Sequence, residues 1–214
     1  MAGLSGTGLL ADDLYLLAHH DVSGRQFLHP RAAGIGLASA LLAELVVSAR
    51  VRVSADSVVV ADSKPPDDGL AGHVLGLVLS EHDRHSARDW LTFLGVTAEQ
   101  DVARRLEQAG YLTQERSRHR WRADRWVPVN AEWAFASLAR ARVVLDPARP
   151  APLHSVVLAG LATACGLGSR LLQYGPPGAR HGLDATVRQL SPDLRELIAQ
   201  TQAAVDSALL SHRV

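Results

Sequence analysis

A long apolar run, "AAGIGLASALLAELVVSA" (residues 32–49), sets the hydrophobic pattern of the chain. Eighteen residues separate Arg31 from Arg50, and among them only Glu44 is charged. About 18 apolar residues is the lower edge of what crosses a bilayer. Glu44 near the bilayer centre would be costly, and Gly34 and Gly36 weaken a helix start. The run is therefore predicted to be a buried core helix rather than a membrane span. A helix of this kind must be wrapped by others, so the fold is expected to be mostly helical.

Around that helix the pattern is mixed. Residues 8–19 ("GLLADDLYLLAH") place Asp12 and Asp13 among leucines and read as a short amphipathic helix. "DVSGRQFLHP" turns at Ser23-Gly24, extends, and reaches Pro30, a good first residue for the core helix. "RVRVSADSVVVAD" carries two β-branched runs about Ser54-Ala55-Asp56 and predicts a small hairpin. Helices are predicted over 69–82, 86–94 and 97–109, the last closed by Gly110. An alternating stretch, "YLTQERSRHRWRADRWVPVN", follows. Further helices are expected over 130–145, 152–165, about 168–174 and 182–190. "YGPPGARHG" reads as a loop, and a last helix is capped by Ser191 with Pro192 at its first position. No internal repeat or low-complexity linker interrupts residues 1–214, so one domain is expected.

Composition narrows this only a little. The chain is 47% apolar and 21% charged, as a globular protein should be. Aromatic residues are few, so Leu, Val and Ala must build the core. The 22 basic side chains equal the 22 acidic ones, and net charge says nothing of partners. Cys165 is the only cysteine, so no intrachain disulfide can form. With no base visible nearby it is expected to be a small core residue. The N-terminus lacks a basic segment, and Asp12 and Asp13 break its apolar run, so no secretory signal is read there.

The most informative chemistry lies at residues 116–126. Arg116, Arg118, Arg120 and Arg122 recur at every second position, which in a strand directs all four to one face and Trp121 to the other. An arginine row edged by tryptophan suits phosphates, lipid head groups or nucleic acid. The plainer alternative is a solvated edge strand protected from aggregation by charge. "HHD" (19–21) and "HDRH" (82–85) invite a metal reading. Both sit at predicted helix ends, where polar residues cap, and no third ligand stands at a persuasive spacing. Neither a phosphate-cradling glycine loop nor a G-x-S-x-G elbow is present. Two helices followed by a basic hairpin also suit a winged helix-turn-helix, with residues 97–109 in the major groove. That helix carries Arg104 and Arg105, but also Asp101 and Glu107.

Over nearly its whole length the sequence resembles the Golgi phosphoprotein 3 family in a shorter bacterial form. The resemblance is carried by "LLADDLYLLAHHDVSG", by "AAGIGLASALLAELVVSARV" with its Glu44-Leu45 pair, by "LEQAGYL", and by "LSPDLRELIAQTQAAVDSAL", in this order. It implies a mainly α fold, a central apolar helical bundle surrounded by amphipathic helices, with one or two small β-hairpins. It further implies a non-catalytic, cytoplasmic peripheral membrane protein without cofactor. Its partners would be anionic lipid head groups, a phosphoinositide such as phosphatidylinositol 4-phosphate among them, and protein tails gripped as by an adaptor. No nucleic acid is expected.

The family's head-group pocket does not carry over residue by residue. Its tryptophan falls at "FLHP", where Leu28 and His29 stand; its arginines fall near Ala38, Val96 and Glu99. Replacement charges lie close by at Arg25, His29 and Arg31. With Arg116, Arg118, Arg120, Trp121 and Arg122 in the projecting hairpin of residues 113–128, these form the expected anion-binding set. A hairpin with arginines rather than apolar residues suits lying on an anionic surface, with Trp121 as the interfacial anchor.

Overall fold

The leucine-rich opening segment folds as α1 (Leu10–Ala18), and all nine of its residues are buried. This corrects the amphipathic expectation: Asp12 and Asp13 do not face water but are each only 1% exposed. The computed structural model describes residues 7–115, 125–146 and 149–211. α2 (Pro30–Val47) begins with Pro30 at its first turn, and the His29 ring nitrogen accepts from the Arg31 N–H at 3.3 Å. Thirteen of its eighteen residues are buried, because α1 and several later helices pack around it. Leu41, Leu42 and Leu45 are almost completely enclosed, each contributing about 1.5–3 kcal/mol by burial.

β1 (Val51–Val53) and β2 (Val58–Val60) pair antiparallel, Val51 opposite Val60, about the expected turn. α3 (Gly69–Ser80) is capped by Asp68, whose side chain accepts from the Ala71 N–H at 2.7 Å. α4 (Ala87–Leu94) starts on a capping box between Ser86 and Asp89. α5 (Ala98–Gln108) ends before Gly110, which takes the left-handed conformation at φ 79°.

β3 (Leu112–Glu115) pairs antiparallel with β4 (Arg125–Pro128), Leu112 opposite Pro128 and Glu115 opposite Arg125. α6 (Ala131–Arg142), capped by Asn130, runs into a short 3-10 turn at Val143–Leu145. α7 (Leu153–Ala162) does not continue to residue 165 as expected. It passes into a π turn at Thr163–Leu167, where Gly166 adopts φ 99°, before α8 (Gly168–Leu172). α9 (Ala179–Val187) starts three residues earlier than the sequence pattern indicates, because left-handed Gly178 closes the proline loop at once. α10 (Pro192–Leu210) is capped by Ser191 with Pro192 in its first turn.

The fold is thus mainly α, with two small antiparallel hairpins among the described residues. By length and composition Pro30–Val47 and Leu153–Leu172 could each cross a membrane, yet most of each is covered by neighbouring elements. Gly34 and Gly36, which read as weak points, are where α2 is approached most closely. A Cβ at Gly34 would collide with the Gly95 carbonyl oxygen, and one at Gly36 with the Cys165 sulfur.

Candidate functional site

Among the described residues two buried ionic clusters organise the interior. Arg105 on α5 donates from Nε to Asp12 Oδ1 at 2.9 Å and from Nη1 to Asp68 Oδ2 at 2.7 Å, and stands 3.6 Å from Glu44 Oε2. One guanidinium thus faces three carboxylates. Burial pushes Glu44 up to about 7, against the pull of Arg105 and the Ala11 N–H. Burial likewise raises Asp12, while the surrounding carboxylates hold Arg105 above its ordinary value despite desolvation. In the second cluster Asp13 accepts from Ser137 Oγ at 2.7 Å, from His154 Nε2 at 2.8 Å and from Arg140. Burial works against its charge, but these bonds together hold its carboxyl below the ordinary value. Serine, histidine and aspartate meet here with Asp13 at the centre: the Ser137 hydroxyl lies within reach of Asp13 Oδ1 and, at 3.1 Å, of the Trp133 carbonyl oxygen, while His154 bonds the other Asp13 oxygen.

The turn leading into α2 carries the expected cations. Arg25, His29 and Arg31 are all exposed. This turn is fixed on two sides. Gly24, at φ 61°, lies so close to the Trp126 backbone that no Cβ would fit, which seats the turn against β4. Phe27 lies under the Arg170 guanidinium, 4.2 Å from its ring centroid, which joins the turn to α8. Arg25, next to Gly24 in this turn, therefore lies beside the β3–β4 hairpin. Arg116, Arg118, Arg120, Trp121 and Arg122 lie outside the described residues. At the last described pair of the hairpin, Arg125 donates to Glu115 at 3.1 Å.

Arg31 also meets a residue that sequence reasoning missed. Together with Ile35, Arg88, Thr92, Val96 and Ser207 it lines an open cavity of about 340 Å³ between α2, α4 and α10. Among the described residues neither Arg31 nor Arg88 forms an ion pair. The available signal was helical spacing in "ARDWLTFLGV", which puts residues 88, 92 and 96 on one line.

The other candidates are engaged elsewhere. His19 is buried, stacked on Tyr15 at 4.0 Å and donating to the Tyr15 carbonyl oxygen at 2.7 Å. His85 stands 3.8 Å from Glu81. Among the described residues no group of three or more His, Cys, Asp or Glu could hold a metal ion. On α5, Arg105 points inward to Asp12, while Arg104 is exposed and stands 3.5 Å from Asp101. Of the positions where the family's pocket residues fall, Ala38 is fully buried, Val96 is 83% exposed, and Glu99 lies 3.6 Å from His19.

The Golgi phosphoprotein 3 (GPP34) family matches residues 10–209, from the first residue of α1 nearly to the end of α10. The chain belongs to the Golgi phosphoprotein 3 family. No curated protein matches it. The match spans both ionic clusters and the turn before α2, so the buried carboxylates belong to the scaffold of a Golgi phosphoprotein 3 domain and the exposed arginines to its surface.

Proposed function

We propose that this Golgi phosphoprotein 3 domain is a non-catalytic protein that docks reversibly on anionic membrane surfaces from the cytoplasm, and that it serves as an adaptor for protein tails. The observation that carries the reading is the seating of the Arg25 turn against β4 through Gly24 and Trp126. It brings one cationic segment to the base of the hairpin whose sequence holds Arg116, Arg118, Arg120 and Arg122. Arginines bind phosphate oxygens bidentately, and each basic residue near an anionic leaflet contributes about 1 kcal/mol, screened by salt. Several together give weak, reversible attachment. A phosphorylated head group, a phosphoinositide included, is the ligand class that fits Arg25, His29 and Arg31 at the start of α2.

The test is vesicle sedimentation with the full chain. Changing Arg118, Arg120 and Arg122 together to Ala is expected to abolish binding to phosphatidylserine vesicles without lowering the melting temperature. Unchanged binding would remove the arginine segment from the function. A phosphoinositide panel in the same assay, at two salt concentrations, ranks the head groups. A duplex-DNA shift run alongside separates this reading from a winged-helix one, which the inward Arg105 disfavours.

A further inference from the structure

α4 is a short amphipathic helix whose inner residues Ala87, Trp90, Leu91 and Leu94 are buried. Its outer side is unusual. Phe93 is 59% exposed and Val96, just past the helix end, 83% exposed. They form a crest between two hollows. On one side lies the cavity containing Arg31 and Arg88; on the other an apolar hollow of about 300 Å³ lined by Leu70, His73 and Leu77. The crest is rigidly mounted. The Phe93 ring meets buried Trp90 edge-on at 6.0 Å, and Gly95 is pressed against Gly34 in the first turns of α2. Of the nearby acidic groups, Asp101 stands 3.5 Å from Arg104, whereas Asp89, which accepts from Ser86, and Glu81, 3.8 Å from His85, line a further hollow on the Phe93 side of the crest, one that neither Arg31 nor Arg88 lines.

We infer that Phe93 and Val96 form a second membrane contact, a wedge that enters the boundary between head groups and acyl chains while Arg31 and Arg88 hold the phosphates above it. The inference rests on the membrane-docking reading, shares Arg31 with it, and adds to it an apolar contact from α4 and the turn that follows. Charge complementarity selects the occupant. An apolar crest flanked by guanidiniums that lack ion-pair partners among the described residues matches the layering of an anionic bilayer, apolar beneath and phosphate above. An apolar protein groove would leave both arginines without an anionic counterpart. Phenylalanine at this depth is a favoured interfacial side chain.

The test uses the full chain with Val96→Cys carrying an environment-sensitive fluorophore; Cys165 is buried and does not compete for the label. Emission is expected to shift to the blue with phosphatidylcholine–phosphatidylserine vesicles and to stay fixed with phosphatidylcholine alone. In sedimentation, Arg88→Ala should weaken partitioning about five-fold, the equivalent of one basic contact. Phe93→Asp combined with Val96→Asp should weaken it about ten-fold or more, at an unchanged melting temperature. If the labelled protein sediments with anionic vesicles while its emission stays fixed, and the double variant binds like the parent, the wedge is refuted and the docking reading stands. If the parent chain does not sediment with anionic vesicles, both fall. A blue shift that grows with protein concentration without vesicles would mean the crest meets a second copy of the chain, which overturns the bilayer assignment.

Discussion

Arg105 Nε and Asp12 Oδ1 lie 2.9 Å apart although 93 positions separate them in sequence. The pair, 12% and 1% exposed, couples α5 to α1 within a cluster that also holds Glu44 and Asp68. Removing the guanidinium leaves three carboxylates facing one another in a dry interior. Arg105→Leu is expected to cost about 3–5 kcal/mol near neutral pH, measured by urea unfolding. The loss should shrink at pH 5.5, where Glu44 can take up a proton.

Glu44 itself gives a pH signature. Its folded value of about 7 lies above the ordinary 4.5, so the native state holds the proton more tightly than the unfolded chain. Stability from this group is therefore greatest at low pH and is lost as pH rises from about 4.5 through 7. Glu44→Gln keeps an oxygen for the Ala11 N–H and removes the titration. The variant should be more stable than the parent by about 3 kcal/mol at pH 8, with the difference nearly gone by pH 4.5. A variant whose melting temperature follows the parent at every pH would contradict the assignment.

The glycines of α2 should respond differently to the same change. Gly36→Ala puts a methyl group against the Cys165 sulfur, an overpacking cost of about 1–3 kcal/mol. Cys165→Ala should recover part of it, because the obstacle is a side chain. Gly34→Ala meets the Gly95 backbone carbonyl, and no side-chain substitution can clear that. Comparing the single and double variants by thermal unfolding separates the two cases.

Cys165 is completely enclosed, and burial pushes its thiol up to about 12. Since the thiolate is the reactive form, a chromogenic disulfide reagent should leave the native protein unmodified and label it stoichiometrically in denaturant. Rapid native labelling would show that the Gly36–Cys165 contact opens.

Much of the scaffold is readable from short-range pattern. Ser86, Ser191 with Pro192, and Gly110 mark helix ends where they should, and the uninterrupted apolar face of residues 32–45 leaves little choice but burial. What eluded the pattern is long-range. Asp12 and Asp13 look like the polar stripe of a surface helix, because nothing local announces that Arg105 and Arg140 will meet them from α5 and α6. The π turn at Gly166 has only its glycine to mark it. At the candidate site, Arg25, His29 and Arg31 are exposed. Arg88 and the Phe93–Val96 crest escaped notice because they join the site through the Gly34–Gly95 contact, a meeting of two backbones that carries no side-chain signature.

The seating of Gly24 on Trp126 has a mechanical consequence. The turn before α2 and the strand β4 leave no room for even one methyl group between them at this point. Any larger side chain at position 24 would therefore force the turn and β4 apart, so that glycine here fixes how closely the ribbon lies to the helices.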